Sequence, residues 1–167
     1  MKYYTRMNGV TKQLFLYLCK NFGKKMLTGQ QETPCRGRHE EEVEYVKEVT
    51  GFYPAIRGLD YIHDDFEGVN QRAIQWWKDG GIVTICWHTG VNGGGYKDSQ
   101  NDQPDFHKLL TPGTPEQNSM LESWDRAANA LLELKNAGVP VLWRPFHEFD
   151  GGWFWWGKDT AKTFIRL

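Results

Sequence analysis

The chain of 167 residues is long enough for one domain with a buried core, but short for a large enzyme fold. Its formal net charge is −1 and its Lys and Arg residues are scattered, which argues against nucleic acid and anionic membranes as partners. The unusual feature of the composition is an aromatic content of 14%, with eight tryptophans.

Helical and strand-like patterns alternate through the first half of the chain. Apolar residues recur at helical spacing from Leu14 to Phe22, and Gly23 closes this run. Further helices are predicted over residues 40–49 and 69–79. Three short runs predict strands, although Pro54 favours the beginning of its strand or an irregular place in the sheet: KMLTGQQ, FYPAIRGLDY and GGIVTICWH.

The second half begins with a segment, residues 89–118, that is rich in Gly, Asn, Asp and Pro and is predicted to be a loop. A loop of this length in a compact domain is usually functional or disordered. An apolar stripe from Met120 to Leu132 then predicts a helix that ends before Gly138. The run VPVLWRPF predicts another buried strand, and DTAKTFIRL resembles the start of one more helix.

About four apolar strands therefore alternate with amphipathic helices, which indicates parallel pairing with the helices outside. Such a set fits an open sheet or half of an eight-stranded β/α barrel. Both folds place their sites at the C-terminal ends of strands. Three pairs of chemically active residues fall there: Asp60 and Tyr61, Trp87 and His88, and His147 and Glu148.

Glu148 is the leading candidate for catalysis, within the segment LWRPFHEFDGGWFWWG. A carboxyl beside aromatic rings has its ionised form disfavoured, which favours a general acid. The alternative is a salt bridge between Glu148 and Arg144 that orients the end of the strand. Trp153, Trp155 and Trp156 could stack on the apolar faces of sugar rings, or they could fill the core.

His88 and Asp60 also have two interpretations each. His88 directly follows a buried strand, where a histidine is either a hydrogen-bonded structural residue or part of a site. Asp60 is either a site carboxylate or a cap for the following segment. The sequence contains no Cys/His spacing typical of zinc sites, so no zinc site is predicted. The loop GVNGGG lacks the Lys-Ser/Thr of a phosphate-binding loop, and no cofactor is predicted.

The cysteines and the N-terminal residues give little information about the compartment of the protein. Three cysteines, Cys19, Cys35 and Cys86, are too few for a disulfide scaffold. One disulfide bridge is possible, and it would leave one free thiol. No apolar run reaches the roughly eighteen residues of a transmembrane helix. The first thirty residues lack the order of a signal peptide, so the chain is expected to be cytoplasmic or a mature form whose signal has been removed.

The segment VLWRPFHEFDGGWFWWG closely resembles the part of glycoside hydrolase family 26, the β-mannanases, that carries the acid/base glutamate. The resemblance covers residues 21–167, because three earlier runs resemble the first three strands of that family: GKKMLTGQQE, PAIRGLDY and GGIVTICWH. It implies a (β/α)₈ barrel of the TIM-barrel type. Residues 1–167 would be a partial catalytic domain that covers about the first four β/α units.

The resemblance implies a retaining endo-β-1,4-mannanase that acts on mannan, galactomannan or glucomannan, mostly outside the cell and without a metal. Some relatives cleave mixed-linkage glucans or xylans. Glu148 would be the acid/base. Arg144 and His147 would shape the pocket, and Trp87 and His88 would line the sugar site. Trp153 would stack on a sugar, and Trp156 would support the aromatic wall. Asp60 and Tyr61 would make contacts toward the non-reducing side.

One departure concerns the nucleophile. Retaining hydrolysis needs two carboxyl groups about 5–5.5 Å apart, and in this family the second is a glutamate on the seventh strand. The nearest candidate in this chain, Glu32, does not fit that pattern. The chain is therefore interpreted as part of a longer enzyme, as half of a barrel closed by a second copy of itself or by another chain, or as a stand-alone domain that binds β-glycans without cleaving them. A fourth interpretation is an open-sheet α/β protein without a sugar role.

Overall fold

The centre of the fold is a sheet of four parallel strands, which lie side by side in the order of the chain. The computed structural model describes residues 7, 9–34 and 37–167. The strands are β1 (Gly29–Gln31), β2 (Ile56–Asp60), β3 (Ile82–Cys86) and β4 (Val141–Arg144). The predicted α/β class with parallel pairing is confirmed.

Helices connect the strands and cover the sheet. They are α1 (Gly9–Asn21), α2 (Glu41–Thr50), α3 (Phe66–Lys78), α4 (Tyr96–Asn101), α5 (Phe106–Leu109), α6 (Pro115–Asn136) and α7 (Ala161–Phe164). The predicted helices are found at their expected places. The prediction of a loop over residues 89–118 is wrong in part, because this segment contains α4, α5 and the first turn of α6.

The longest helix, α6, has clear signals at both ends. Oγ1 of Thr114 accepts a hydrogen bond from the backbone N–H of Gln117 over 3.2 Å, and Pro115 occupies the first turn. The helix ends before Gly138, whose φ of 75° is in the left-handed region that favours glycine. These signals explain why the sequence predicted the end of this helix well.

The main core lies between the sheet and helices α3 and α6. Buried side chains of β2 and β3 meet buried side chains of the two helices: Leu59, Val83 and Ile85 from the strands, Val69 and Ala73 from α3, and Ala127, Ala130 and Leu134 from α6. A second apolar cluster is built around Phe154, Trp155 and Trp156, with Leu109 of α5 and Met120 of α6. The second cluster packs beside the C-terminal ends of the strands and supports the segment that follows β4.

The two outer strands are less well covered. β4 was predicted to be buried, but Val141, Leu142 and Trp143 are only half-buried, because β4 pairs with β3 alone among the described residues. Apolar side chains of α1 are also partly exposed to solvent, with Phe15 41% and Leu16 49% exposed. None of the helices in the described part of the chain is long and apolar enough to cross a membrane.

Candidate active site

A cavity of about 400 Å³ opens at the C-terminal ends of the four strands. Five of the predicted site residues line it: Asp60, His88, Arg144, His147 and Glu148. Parallel pairing explains this arrangement, since each strand delivers its last residues to the same edge. A larger cavity of about 780 Å³ between α2 and α3 contains none of these five residues.

Asp60 and His88 form the most closely bonded pair in the cavity. Nδ1 of His88 lies 2.5 Å from Oδ2 of Asp60, while Oδ1 of Asp60 accepts from the backbone N–H groups of His88 and Ile62. Burial alone would raise the pKa of the Asp60 carboxyl, but the hydrogen bonds and the charge of His88 outweigh burial and lower it. Asp60 is therefore an ionised group that fixes the orientation of the His88 ring.

His147 lies against His88, with ring centroids 4.6 Å apart at an angle of 86°. Its Nδ1 is buried and has no hydrogen-bond partner among the described residues. Burial lowers the pKa of His147, and the neighbouring His88 lowers it further. The ring is therefore kept neutral in the pocket, and a buried nitrogen remains without a partner.

Arg144 is held across the sheet by polar groups from other strands. Its Nε donates to Oγ1 of Thr84 over 3.0 Å, and its Nη2 donates to Oε1 of Gln31 over 3.3 Å. Gly58 permits this bridge, because a Cβ atom there would lie 2.2 Å from Oε1 of Gln31. The alternative salt bridge between Arg144 and Glu148 is not formed among the described residues.

Glu148 is exposed at the mouth of the cavity. The indole Nε1 of Trp153 donates to its Oε2 over 3.0 Å. The backbone of Glu148 has a φ of 55°, and that of Phe146 has a φ of 50°, both in the left-handed region that is costly for side chains of this size. Local strain of this kind is typical of functional segments, and here it sets the direction in which the carboxylate projects.

The three clustered tryptophans have different environments. Trp153 is 50% exposed beside Glu148, whereas Trp155 and Trp156 are buried in the second apolar cluster. Nε1 of Trp155 donates to the carbonyl of Thr89, and Nε1 of Trp156 donates to the carbonyl of His147. Of the three rings, Trp153 is the one with a free face for a ligand, while Trp156 supports the backbone next to Glu148.

Two predicted site residues lie in the main core instead of the cavity. Tyr61 is fully buried, and its hydroxyl donates to Oδ1 of Asn70 over 2.7 Å. Trp87 is 4% exposed and packs against Phe66. Both residues follow strand ends, but their side chains point to the helix layer because consecutive residues of an extended chain alternate between the two faces.

Glu32, the nearest candidate for a second carboxyl, is enclosed by arginines. Its side chain is inaccessible, and Nη2 of Arg57 and Nη2 of Arg72 each lie 2.9 Å from one of its oxygens. Arg57 also donates to Glu40. These bonds engage both carboxylate oxygens in a buried ion-pair network, which gives Glu32 a structural role in this arrangement.

Several residues that line the cavity were not predicted from the sequence: Gln31, Cys86, Tyr96 and Phe154. Cys86 ends β3, where it looked like one more apolar strand residue. It is a free thiol, as is the exposed Cys19, whereas Cys35 lies outside the described residues. Burial and the charge of Asp60 raise the pKa of the Cys86 thiol.

The family model described as Glycosyl hydrolase family 26 matches residues 5–166. The chain belongs to this family. It is 31% identical to mannan endo-1,4-β-mannosidase B of a Piromyces species over 93% of its own length, and 33% identical to the mannan endo-1,4-β-mannosidase of Thermothelomyces thermophilus over 93%. A mannan endo-1,4-β-mannosidase of Bacillus subtilis is 37% identical over 71% of the chain.

Solved structures of family 26 enzymes share the fold. A ruminal endo-β-1,4-mannanase of family 26 matches 96% of this chain with a TM-score of 0.86 at 31% identity. A β-mannanase from a symbiotic protist of the termite Reticulitermes speratus, solved in complex with gluco-manno-oligosaccharide, matches 95% with a TM-score of 0.80 at 27% identity. The sheet of this family 26 chain is thus consistent with part of a TIM barrel.

The match covers only part of these relatives. The chain spans 30% of the Piromyces enzyme, 36% of the Thermothelomyces enzyme and 39% of the ruminal mannanase chain. The residues at the strand ends of this chain therefore correspond to only part of the sequence of these longer relatives.

Proposed function

We propose that this family 26 chain supplies the acid/base half of a retaining endo-β-1,4-mannanase, with Glu148 as the acid/base. The observation that carries the proposal is the position of Glu148, whose exposed carboxylate lies at the mouth of the strand-end cavity and accepts a hydrogen bond from Trp153. The names of its relatives support mannan as the substrate. Mixed-linkage glucan or xylan is the alternative backbone.

In the first step, Glu148 in its acid form would donate a proton to the glycosidic oxygen as the bond to the sugar breaks. Trp153 engages Oε2 of Glu148, so Oε1 is the oxygen left to carry that proton. A carboxylate nucleophile would take the sugar as a covalent glycosyl-enzyme. Glu148, now ionised, would then remove a proton from the water that hydrolyses this intermediate, which restores both groups.

The nucleophile of this mechanism would come from outside these 167 residues. Among the described residues, Glu32 is the one glutamate that lines the cavity besides Glu148, and both of its oxygens are held by Arg57 and Arg72. A free strand edge on each of β1 and β4, among the described residues, supports a barrel completed by further strands. We propose a longer chain as their source, with a second chain as the alternative.

The sugar-binding surface would consist of Trp153 and the polar groups of the cavity. The exposed indole offers a flat apolar face, while His88, Arg144 and His147 offer hydrogen-bonding groups for hydroxyls. Polymeric mannan is too large to enter a cell, so this activity would operate outside it. The isolated chain would bind glycans weakly and show little or no turnover.

The test is release of reducing sugar from galactomannan, glucomannan, lichenan and xylan. It compares this chain with a completed barrel, in which the chain is joined to the C-terminal part of the Thermothelomyces relative. Hydrolysis by the completed barrel, and little or none by the chain alone, is expected. A completed, folded barrel that binds mannan without cleaving it would instead make the chain a β-glycan-binding domain. Failure to bind any of the four glycans would leave an α/β protein without a sugar role.

A further inference from the structure

Three metal-ligating side chains converge at the floor of the cavity, although the sequence showed no metal signature. Sγ of Cys86 and one ring nitrogen each of His88 and His147 lie within 4.8 Å of one another. Cys86 ends β3 and is paired in register with Arg144, three residues before His147. Sequence spacing concealed this cluster because its members come from two neighbouring strands.

The donor set suits zinc. A thiolate and two imidazoles with an open fourth position are typical ligands of Zn²⁺, which prefers tetrahedral geometry. Tetrahedral bonds of about 2.0–2.3 Å place ligand atoms roughly 3.3–3.8 Å apart. Movement of the side chains by about 1 Å would therefore close the cluster around an ion, and the fourth position would face the cavity.

The surroundings resemble the outer shell of a zinc site. The carboxylate of Asp60 engages Nδ1 of His88, which orients the ring and leaves Nε2 as the nitrogen that could bind a metal ion. Zinc-ligating histidines usually have such a carboxylate partner. His147 contributes a buried Nδ1 with no partner among the described residues. The thiol of Cys86 makes a weak bond, 3.5 Å long, to the carbonyl of Leu59, and it also interacts with the carboxylate of Asp60.

The charges in the pocket also permit a cation. Arg144 brings one positive charge close to the cluster, which opposes metal binding. Asp60 and a Cys86 thiolate supply two negative charges, and Glu148 is a further carboxyl group on the same cavity. A divalent ion that displaces the thiol proton would therefore enter a pocket in which its charge is balanced by nearby groups.

We propose that Cys86, His88 and His147 bind Zn²⁺, and that the bound ion closes the cavity to glycans. The ligands are cavity residues, so metal and sugar would compete for the same space. This inference goes beyond the proposed hydrolysis, in which no metal takes part. It adds an inhibitory metal site whose occupancy depends on the zinc concentration.

The test uses Co²⁺ as a spectroscopic probe for Zn²⁺, in the full chain with Cys19→Ser and Cys35→Ser. This background leaves Cys86 as the only thiol, so a thiolate-to-cobalt charge-transfer band reports on Cys86 alone. One Co²⁺ per chain is expected, with loss of the band when Zn²⁺ displaces it. Cys86→Ser should abolish the band, and His147→Gln should weaken binding by at least about tenfold. His107→Gln, at an exposed histidine of α5, is the matched control and should change nothing.

Two results would overturn the site. One is the absence of the band in a chain whose near-ultraviolet circular dichroism shows packed aromatic side chains. The other is a band that Cys86→Ser removes but that is insensitive to both His147→Gln and His88→Asn, which would mean a thiol without the histidines. The titration involves no glycan, so a failure of the proposed hydrolysis and a failure of metal binding are distinguished directly.

Discussion

The indole N–H of Trp153 donates a hydrogen bond to Oε2 of Glu148 over 3.0 Å, so the exposed ring is coupled to a carboxylate that lines the strand-end cavity. A donor fixed at one oxygen of the carboxyl group restricts its rotation and so orients the other oxygen. In the proposed function, the two side chains would act on the same sugar, one by stacking and the other by proton transfer.

Replacement of Glu148 by Gln should reduce hydrolysis of unactivated mannan by the completed barrel by about 10²–10⁴-fold, because the proton donor is lost. An aryl mannoside with a good leaving group needs no proton for its first step. We therefore expect that substrate to give a burst of aryl alcohol in Glu148→Gln, followed by slow turnover. Near-normal hydrolysis of mannan by this variant would remove the acid/base role.

The stacking role of Trp153 is separable from its hydrogen bond. Trp153→Ala should weaken mannan-oligosaccharide binding by about 1–3 kcal/mol, as for other aromatic stacking contacts. Trp153→Phe keeps a ring but no N–H donor, so it should retain most of the binding while it lowers the hydrolysis rate of the completed barrel. Calorimetry and rate measurements on both variants distinguish the two contributions.

Trp155→Phe is the matched control for this pair. Trp155 is buried and its N–H satisfies the carbonyl of Thr89. The variant should lower the free energy of unfolding by about 1–3 kcal/mol through the unsatisfied carbonyl, with little change in sugar affinity. Equal losses of affinity in Trp153→Ala and Trp155→Phe would mean that both act through packing.

We expect the buried ion pairs of Glu32 to contribute to the free energy of unfolding. Glu32→Gln leaves Arg57 and Arg72 without their shared carboxylate, and Arg57 is 3% exposed. We expect the free energy of unfolding to fall by about 3–5 kcal/mol, measured by urea denaturation. The matched control is Glu41→Gln, which breaks an exposed pair with Arg38 and should cost less than about 1 kcal/mol.

Glu32→Gln also tests the rival nucleophile. In a completed barrel that stays folded, this variant should still form the glycosyl-enzyme at a normal rate, since Glu32 is committed to two arginines. Loss of that covalent step in a stable protein would instead assign the nucleophile to Glu32 and remove the need for one outside the chain.

The sequence predicted the parts of the fold that local signals determine. Continuous apolar runs indicate β2 and β3, and apolar residues at helical spacing indicate α6. Thr114 and Gly138 mark the two ends of that helix. The helices α4 and α5 were missed because each spans fewer than two turns. Asp105 caps α5, and buried Leu109 holds it in the second apolar cluster, so its stability comes from tertiary packing.

The sequence predicted the edge of the sheet at which the site lies, but not the directions in which the side chains point. Strand ends predicted Asp60, His88 and Glu148 at one edge of the sheet, and the three residues line one cavity there because parallel strands end at the same edge. Which of three clustered tryptophans is exposed depends on packing against Leu109 and Met120, far away in sequence. Gln31 was missed for a similar reason, since its bond to Arg144 crosses from β1 to β4.

Tyr61 predicts how the free energy of unfolding changes with pH. Burial raises the pKa of its hydroxyl above the usual 10.0, and the nearby charge of Glu133 raises it further. The unfolded chain therefore releases this proton at a lower pH than the folded chain, so the stabilisation is complete below pH 10 and is lost as the pH rises above it. The free energy of unfolding should fall more steeply above pH 10 in the wild type than in Tyr61→Phe.

The control is Tyr45→Phe, which removes the hydroxyl of a residue that is 63% exposed and should leave the wild-type slope intact. At neutral pH, Tyr61→Phe should cost about 1–3 kcal/mol, because the buried Oδ1 of Asn70 loses its donor. Sugar affinity should stay unchanged, since the side chain lies in the main core. A variant of normal stability with weakened mannan binding would return Tyr61 to the binding surface that the sequence first suggested.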